Sequence, residues 1–479
     1  MHRPVKGLPF KGLDFTARTD DGAGLKQGVG GEGALRGLVF VICALVLVAG
    51  QFQRTFADAE RYGYLTDIMP GDWGATNLWL DTTECAVQHG VWLAICDRGK
   101  LVPLSERAIA DDPGHAFLLD LWAMATERRA TLADVARLNT LLDTLGLLAL
   151  AGVLFAVRTY LASIVLLWLG PVEYLGWMGT SPHWAFIGMV SLAGVLPIAL
   201  AARELDLMSR RSANAWIAAG VVCLGLATLI REAIGLMGVA TSLATLMALV
   251  LVRRPRTGRR LIGVLFVAVL AVAAFTTPKW VVLARDLAFD MQPAQLVATH
   301  GLSHTLYLGL GFVENKWGIL YYDYYGEAVA QAIDPTIVFC SPEYFQLMWK
   351  LYLGRWIEDP VEVMRIYFLK GWQLLERPTI YPGPPFGVVL LAGLVHLVAA
   401  TALGAWSRIG FLQGLVVEAV AMAFVALFLA QAMMALPSHT YAMPVNAFVL
   451  VLPGVIVEFF IRAVMRRFPP HARAWGGSA

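Results

Sequence analysis

Apolar runs recur along this chain at intervals that fit membrane spans. They fall near 37–52, in a run ending at Arg158, then at about 161–179, 184–202, 214–230, 234–252, 261–278, 386–404, 411–431 and 444–461. A span needs about 20 largely apolar helical residues, so the pattern predicts about ten transmembrane helices. An even number puts both termini on one side. Basic residues set the orientation: Arg203, Arg210 and Arg211 lie in one short loop, Arg253, Arg254, Arg256, Arg259 and Arg260 in another, and Arg462, Arg466 and Arg467 follow the last run. By the positive-inside rule those loops and both ends are cytoplasmic, and the long polar segments 53–136 and 279–385 face out.

The expected organisation is a cytoplasmic tail over 1–35, helices 1–7 with the first outer loop over 36–278, an extracytoplasmic segment over 279–385, helices 8–10 over 386–461, and a second tail over 462–479. The first tail is rich in Gly and charge and lacks periodicity. No cleavable signal peptide is expected, because the first apolar run begins only near Gly37 and no cleavage site follows Gln51.

Composition agrees with this pattern. Hydrophobic residues make up 58% of the chain and charged ones 15%, and the mean hydropathy is +0.63. These values define an all-α polytopic membrane protein rather than a soluble domain. The net charge of +2 comes from basic residues dispersed at segment ends, which form no face for nucleic acid. No Walker A, HExxH or GxSxG run and no Cys/His metal set is present, which leaves ATP-driven transport, zinc proteolysis and serine hydrolysis without their usual residues. Of five cysteines, Cys43 and Cys223 fall in apolar runs; Cys85 and Cys96 share the first outer loop and are either bridged or two buried thiols.

The outer segments carry their own helical signals. Residues 53–136 hold 13 acidic against 7 basic residues. Within them Asp111-Asp112-Pro113-Gly114-His115 leads into an amphipathic run from Phe117 to Ala125, read as an interfacial helix, and residues 131–139 lead into the second span. The segment 279–385 is rich in aromatics, with His304, Lys316 and Tyr321-Tyr322-Asp323-Tyr324-Tyr325 as polar tips. Such rings suit stacking on sugars, and equally the interfacial belt of any membrane protein. Asp359-Pro360 marks the start of a further interfacial helix running through Leu375, with the acid as N-cap.

Candidate chemistry centres on Phe56-Ala57-Asp58-Ala59-Glu60-Arg61-Tyr62, just past the first span, where Asp58 and Tyr62 share a helix face. An acidic group there stays ionised in water yet reaches lipid head groups. The run Asp58-Ala59-Glu60-Arg61-Tyr62 resembles the Asp-Glu-x-Arg-Tyr run that opens the first outer loop of GT-C superfamily glycosyltransferases. Asp58, Arg61 and Tyr62 match; Ala59 stands where the family often has a second acid, with Glu60 beside it. Ser438-His439-Thr440-Tyr441-Ala442-Met443-Pro444 resembles the family's Arg-Tyr-x-x-Pro element, with Tyr441 and Pro444 in register and Thr440 in place of the Arg. A phosphate contact from that element then comes from His439 or elsewhere. Arg231 interrupts a long apolar stretch at an outer helix end, where a guanidinium either pairs locally with Glu232 or meets an anion.

The resemblance implies an inverting enzyme that takes a sugar from a polyprenyl-phosphate donor and places it on a hydroxyl of a glycan or lipid outside the inner membrane. Asp58 would be the general base, with Arg231, His439 and Tyr441 on the donor phosphate. Glu60, Arg61, Tyr62, His304 and Lys316 are further substrate candidates. Glu173, at the outer end of the third span, either caps a helix or joins Asp58 around a divalent metal ion. Two rivals remain open. An O-antigen ligase or polymerase would carry its chief charges in a late loop; a lipid-glycan flippase or transporter would need paired charges near mid-bilayer, for which Glu418 is the candidate.

Overall fold

The computed structural model describes residues 29–62, 74–106, 113–169, 185–253, 258–291, 301–377, 384–405, 411–435, 437 and 443–467. Among them, regular structure is helical apart from one two-stranded hairpin. Six helices are long and apolar enough to cross a membrane: α4 (Leu132–Ala156), α6 (Phe186–Glu204), α7 (Arg210–Ile230), α8 (Glu232–Arg253), α16 (Leu412–Met434) and α17 (Asn446–Arg467). The pair α9 (Gly258–Phe275) and α10 (Thr277–Phe289) passes as a seventh but is bent by 56°. The apolar part of α1 (Val29–Tyr62), α5 (Tyr160–Leu169) and α15 (Phe386–Ala402) are shorter apolar helices at three other positions expected to span.

Two boundaries differ from the sequence expectation for physical reasons. Helix α1 does not stop near residue 52 but continues as one helix of 34 residues, about 51 Å long, so the polar run 56–62 is its projecting end. The expected span 261–278 is broken at Thr276. Pro278, in the first turn of α10, cannot donate a helical hydrogen bond, and the hydroxyls of Thr276 and Thr277 bond back to the carbonyls of Ala273 and Ala274.

Helix α6 is buried along almost its whole length and is the centre of the bundle. It packs against α4, α7, α8, α16 and α17. Its crossing with α4 is backbone against backbone: a Cβ on Gly146 would overlap the Gly188 carbonyl, and one on Gly188 would overlap the Asp143 backbone. Close approach through small residues is how helices gain packing in lipid, where apolar surface alone gives no advantage. Helix α1 docks on α4 through the stripe Cys43, Leu47 and Gln51, four residues apart, while Leu38, Ile42 and Leu45 face outward.

A first small domain, named the first outer domain after the side on which the sequence expectation puts it, is formed by α2 (Gly74–His89), β1 (Ala94–Asp97), β2 (Lys100–Pro103) and α3 (Gly114–Thr126). The strands pair antiparallel with Asp97 opposite Lys100. Arg98 and Gly99 between them both have positive φ, at 52° and 78°, as a two-residue hairpin turn matching strand twist requires. Cys85 and Cys96 are joined in a disulfide, tying α2 to β1. Trp79, Leu80, Leu93, Ala116 and Leu119 form the core between α2 and α3.

A second small domain, named the second outer domain on the same expectation, contains α11 (Leu302–Gly309), α12 (Asp323–Ile333), α13 (Pro342–Glu358) and α14 (Pro360–Glu376) around Leu308, Tyr344, Met348 and Ile366. Ser341 caps α13, and Asp359, as the sequence suggests, caps α14 by accepting the Glu362 N–H at 3.0 Å.

Removing the disulfide tests how far the first outer domain depends on it. The Cys85→Ala, Cys96→Ala double variant should lose roughly 2–4 kcal/mol of domain stability, the usual range for a bridge closing a short loop. Limited proteolysis between 74 and 131 should then be faster than in the parent, and an unchanged cleavage rate would show that α2 and α3 hold the domain unaided.

Candidate functional site

Polar side chains gather where the N-terminal parts of α4 and α6 and the α7–α8 junction meet α3. Arg231 is the single non-helical residue between α7 and α8. Its backbone is extended (φ −152°, ψ 108°), its N–H still bonds to Ala227, and its carbonyl already accepts from Ile234. The break turns the half-buried side chain out of both helices, and its guanidinium lies over the Phe186 ring, 5.5 Å from the centroid.

His115 comes to the same place from the start of α3. Gly114 lets α3 press on the end of α7, since a Cβ there would overlap the Leu229 carbonyl. The His115 ring stacks on Trp79 at 4.2 Å, and its Nε2 is 2.9 Å from Asn139 Oδ1 of α4. With the amide oxygen as acceptor, Nε2 carries the proton and Nδ1 is the basic nitrogen. Burial pushes the His115 pKa down to about 4; the Asn139 bond opposes this and Arg231 adds to it. The ring is therefore neutral at physiological pH, and the fixed charge at this junction belongs to Arg231. One turn further into the bundle, Gln51 of α1 donates to the buried Asp143 carboxylate at 2.7 Å.

Asp120, on α3, accepts the Leu93 N–H at 2.7 Å. Burial raises its pKa to about 7, against the lowering influence of Leu93 and Thr82. Its second oxygen, Oδ1, is buried with no hydrogen-bond partner among the described residues.

The other sequence candidates lie in several places. Asp58, Glu60, Arg61 and Tyr62 are on the last turns of α1, and their side chains are outside the described residues. Gln51 fixes the level of α1 against α4, so the Asp58 backbone lies about 10 Å farther out along the helix, towards the first outer domain. Glu173, His439 and Tyr441 fall outside the described residues, and with them the suggested metal pairing of Glu173 with Asp58. Among the described residues, no group of three or more His, Cys, Asp or Glu is placed to hold a metal ion.

His304 and Lys316 belong to the second outer domain. His304 is buried between Tyr344 Oη (2.6 Å from Nδ1) and Asp323 Oδ1 (3.2 Å from Nε2), and burial raises the Tyr344 pKa. This arrangement joins α11, α12 and α13. Lys316 is exposed and donates to Asp359 at 2.9 Å, with Glu358 at 3.7 Å, so it braces the cap of α14.

The sequence reading passed over His115, Asn139, Asp143 and Lys370. His115 was visible only as part of a turn, although a histidine directly after a Pro-Gly helix start was the available signal. Lys370, on α14, is fully buried and donates to the carbonyls of Gly309 (2.9 Å), Met434 (3.2 Å) and Ala435 (2.7 Å), while burial lowers its pKa to about 7. Carbonyls leave no trace in a sequence.

Fold and site together describe a helical membrane protein with two small domains beside its bundle and a cation at the bundle end nearest the first of them. No protein-family model matches the chain, and no curated protein matches it. Among solved structures it is similar to ArnT from Cupriavidus metallidurans in the apo state, at 15% identity over 90% of this chain and 78% of that one, with a TM-score of 0.31.

His115 and Asp120 set opposing pH dependences. The folded His115 pKa lies below its ordinary value, so its contribution to stability is complete above about pH 6.5 and is lost as pH falls towards 4. The folded Asp120 pKa lies above its ordinary value, so its contribution is complete below about pH 3.8 and is lost as pH rises towards 7. Each is on the order of 3–4 kcal/mol, and they largely cancel between pH 4 and 6.5. Thermal unfolding of His115→Phe should therefore show stability falling as pH rises through this window, and Asp120→Asn the reverse. Identical pH profiles for both variants and the parent would refute these ionisation states.

Proposed function

We propose that the protein is a GT-C-type glycosyltransferase of the bacterial inner membrane, acting at its outer face on a polyprenyl-phosphate-linked sugar. The observation that carries the reading is Arg231: a half-buried guanidinium at the outer break between two spans, beside a histidine held neutral, on the side of the bundle towards which α1 carries Asp58. A fixed cation in a partly desolvated setting suits a phosphate monoester or diester. The motif resemblance at 58–62 supplies the base.

In this reaction the Asp58 carboxylate takes the proton of the acceptor hydroxyl. The acceptor oxygen forms a bond to the anomeric carbon as the carbon–oxygen bond to phosphate breaks, and inversion follows from attack opposite the leaving group. The phosphate leaves with the electron pair, which Arg231 stabilises, and His439 and Tyr441 are assigned to the same phosphate. The acceptor is a glycan or lipid hydroxyl, and a divalent ion at Glu173 belongs to the same proposal.

One observation favours a second reading. Glu418, buried in α16, pairs with His396 of α15 at 2.8 Å. A lipid-glycan transporter would use such a pair inside the membrane. The two readings separate on a radiolabelled transfer assay in proteoliposomes. Asp58→Asn should abolish transfer while keeping donor binding, Glu60→Gln should cost far less, and Arg231→Ala should weaken carrier-lipid binding roughly ten- to a hundredfold, the worth of one charge-assisted hydrogen bond. Parental transfer by Asp58→Asn would sink the transferase assignment. Transport that survives Asp58→Asn and fails in Glu418→Gln would put the second reading in its place.

A further inference from the structure

We infer that α10 is a membrane-lying arm: its outward face rests in the head-group and acyl boundary of the outer leaflet and holds the first outer domain at a fixed height above the bundle. This does not depend on the proposed activity.

The helix has two faces of different character. Towards the protein, Val281 and Val282 pack on the core of the first outer domain, and Phe289 meets Trp92 edge-on at 4.9 Å. On the same side the buried Arg285 donates to the Leu93 carbonyl at 2.6 Å and pairs with Asp286. About 200° round the helix from Arg285, Leu283 and Leu287 point away, with Trp280 beside them. They are large apolar side chains, with Trp280 60% and Leu287 76% exposed. Nothing in this chain covers them among the described residues.

Continuity with the membrane identifies what does. Helix α9 opens on Arg259 and Arg260, and its apolar part from Leu261 to Phe275 is 15 residues, about 22 Å, so the crossing runs up to the bend at Thr276 and α10 begins at the far surface. Phe266, Val269 and Val272 of α9 are exposed, as are Trp280, Leu283 and Leu287 beyond the 56° bend, so exposed apolar side chains occur on both helices. The side is fixed by Arg285, whose partner Leu93 belongs to the outer domain. Two further features suit an interface rather than the core. Lys279 and Asp286 lie within the helix, and the Trp280 indole N–H is satisfied by the Thr276 hydroxyl at 2.8 Å. A bend of 56° turns α10 off the line of α9 and inclines it towards the lipid surface, with its opposite face on the domain.

The test uses full-length protein in proteoliposomes of phosphatidylethanolamine and phosphatidylglycerol. Spin labels are placed singly at Leu283→Cys and Leu287→Cys, with Val269→Cys as the buried-in-lipid reference and Leu101→Cys, on the hairpin, as the aqueous one. Power saturation should give both arm positions an oxygen-to-nickel-chelate accessibility ratio at least about fivefold above Leu101, approaching Val269. A ratio equal to that of Leu101 overturns the inference by placing α10 in water. Exclusion of both reagents also overturns it, since it would mean a second chain covers the face. For variants that fail to fold, hydroxyl-radical footprinting of the unmodified protein in nanodiscs reads Trp280 against Trp349, which is 42% exposed on α13. Trp280 should oxidise at least about fivefold more slowly despite its greater exposure in the isolated chain; equal or faster oxidation overturns the arm.

Discussion

The crossing of α4 over α6 at Gly146 and Gly188 governs the rest of the architecture. With no side chain between the two backbones, α4 is fixed in both depth and rotation on the buried central helix. That rotation places Asn139 and Asp143, one turn apart, where α3 and α1 can use them. Asn139 takes His115 and so locates α3; Asp143 takes Gln51 and so locates α1. Because α1 is a single helix to Tyr62, a contact at Gln51 sets where the backbone of Asp58 emerges. The α7–α8 break reaches the same level through α6, since Arg231 lies over Phe186, two residues before Gly188. A glycine pair deep in the bundle thus sets the level of groups that act at its surface.

Much of this was legible and the division is physical. Hydrophobic runs report free energies of transfer, which depend on local composition, so the positions of the apolar helices could be read directly. The cap at Asp359 was legible for the same reason: a carboxylate before proline acts within one turn. Arg231 stood out because a charge inside an apolar run needs a cause. His115 did not, since its significance lies in Trp79, Asn139 and Arg231, which come from α2, α4 and the α7–α8 break. The length of α1 was misjudged because polarity ends a span but does not end a helix; residues 52–62 contain neither Gly nor Pro. Conversely, the break at Thr276 lay within an apolar run and was carried by a Thr-Thr-Pro sequence whose hydroxyls compete for backbone carbonyls.

The two outer domains are attached to the bundle by the same device. In the first, Arg285 of α10 donates to the carbonyl of Leu93, whose N–H is held by Asp120 from the opposite side; Leu93 has a positive φ of 54°, a conformation costly for a leucine unless its surroundings fix it. In the second, Lys370 of α14 donates to Gly309 within its own domain and to Met434 and Ala435 at the end of α16. Both are buried basic side chains on backbone carbonyls, and Arg285 also pairs with its neighbour Asp286. The α16 carbonyls sit at the negative end of that helix, which favours the ammonium form against the desolvation that lowers its pKa.

This choice of partner has a consequence for how the protein can vary. A buried salt bridge must change two side chains together to be replaced, whereas a cation on a carbonyl needs one residue and a fixed backbone. Each charge-assisted bond is worth roughly 1.5–3 kcal/mol, but only while the carbonyl stays in place. The contacts that join each domain to the rest of the fold therefore run from a basic side chain to backbone carbonyls, while the Arg285–Asp286 pair lies within α10 itself. Arg285 and Lys370 depend on the membrane bundle keeping the ends of α9 and α16 at constant height. The geometry around Arg231, which is built from α3 of the first outer domain and from spans of the bundle, depends on that height as well.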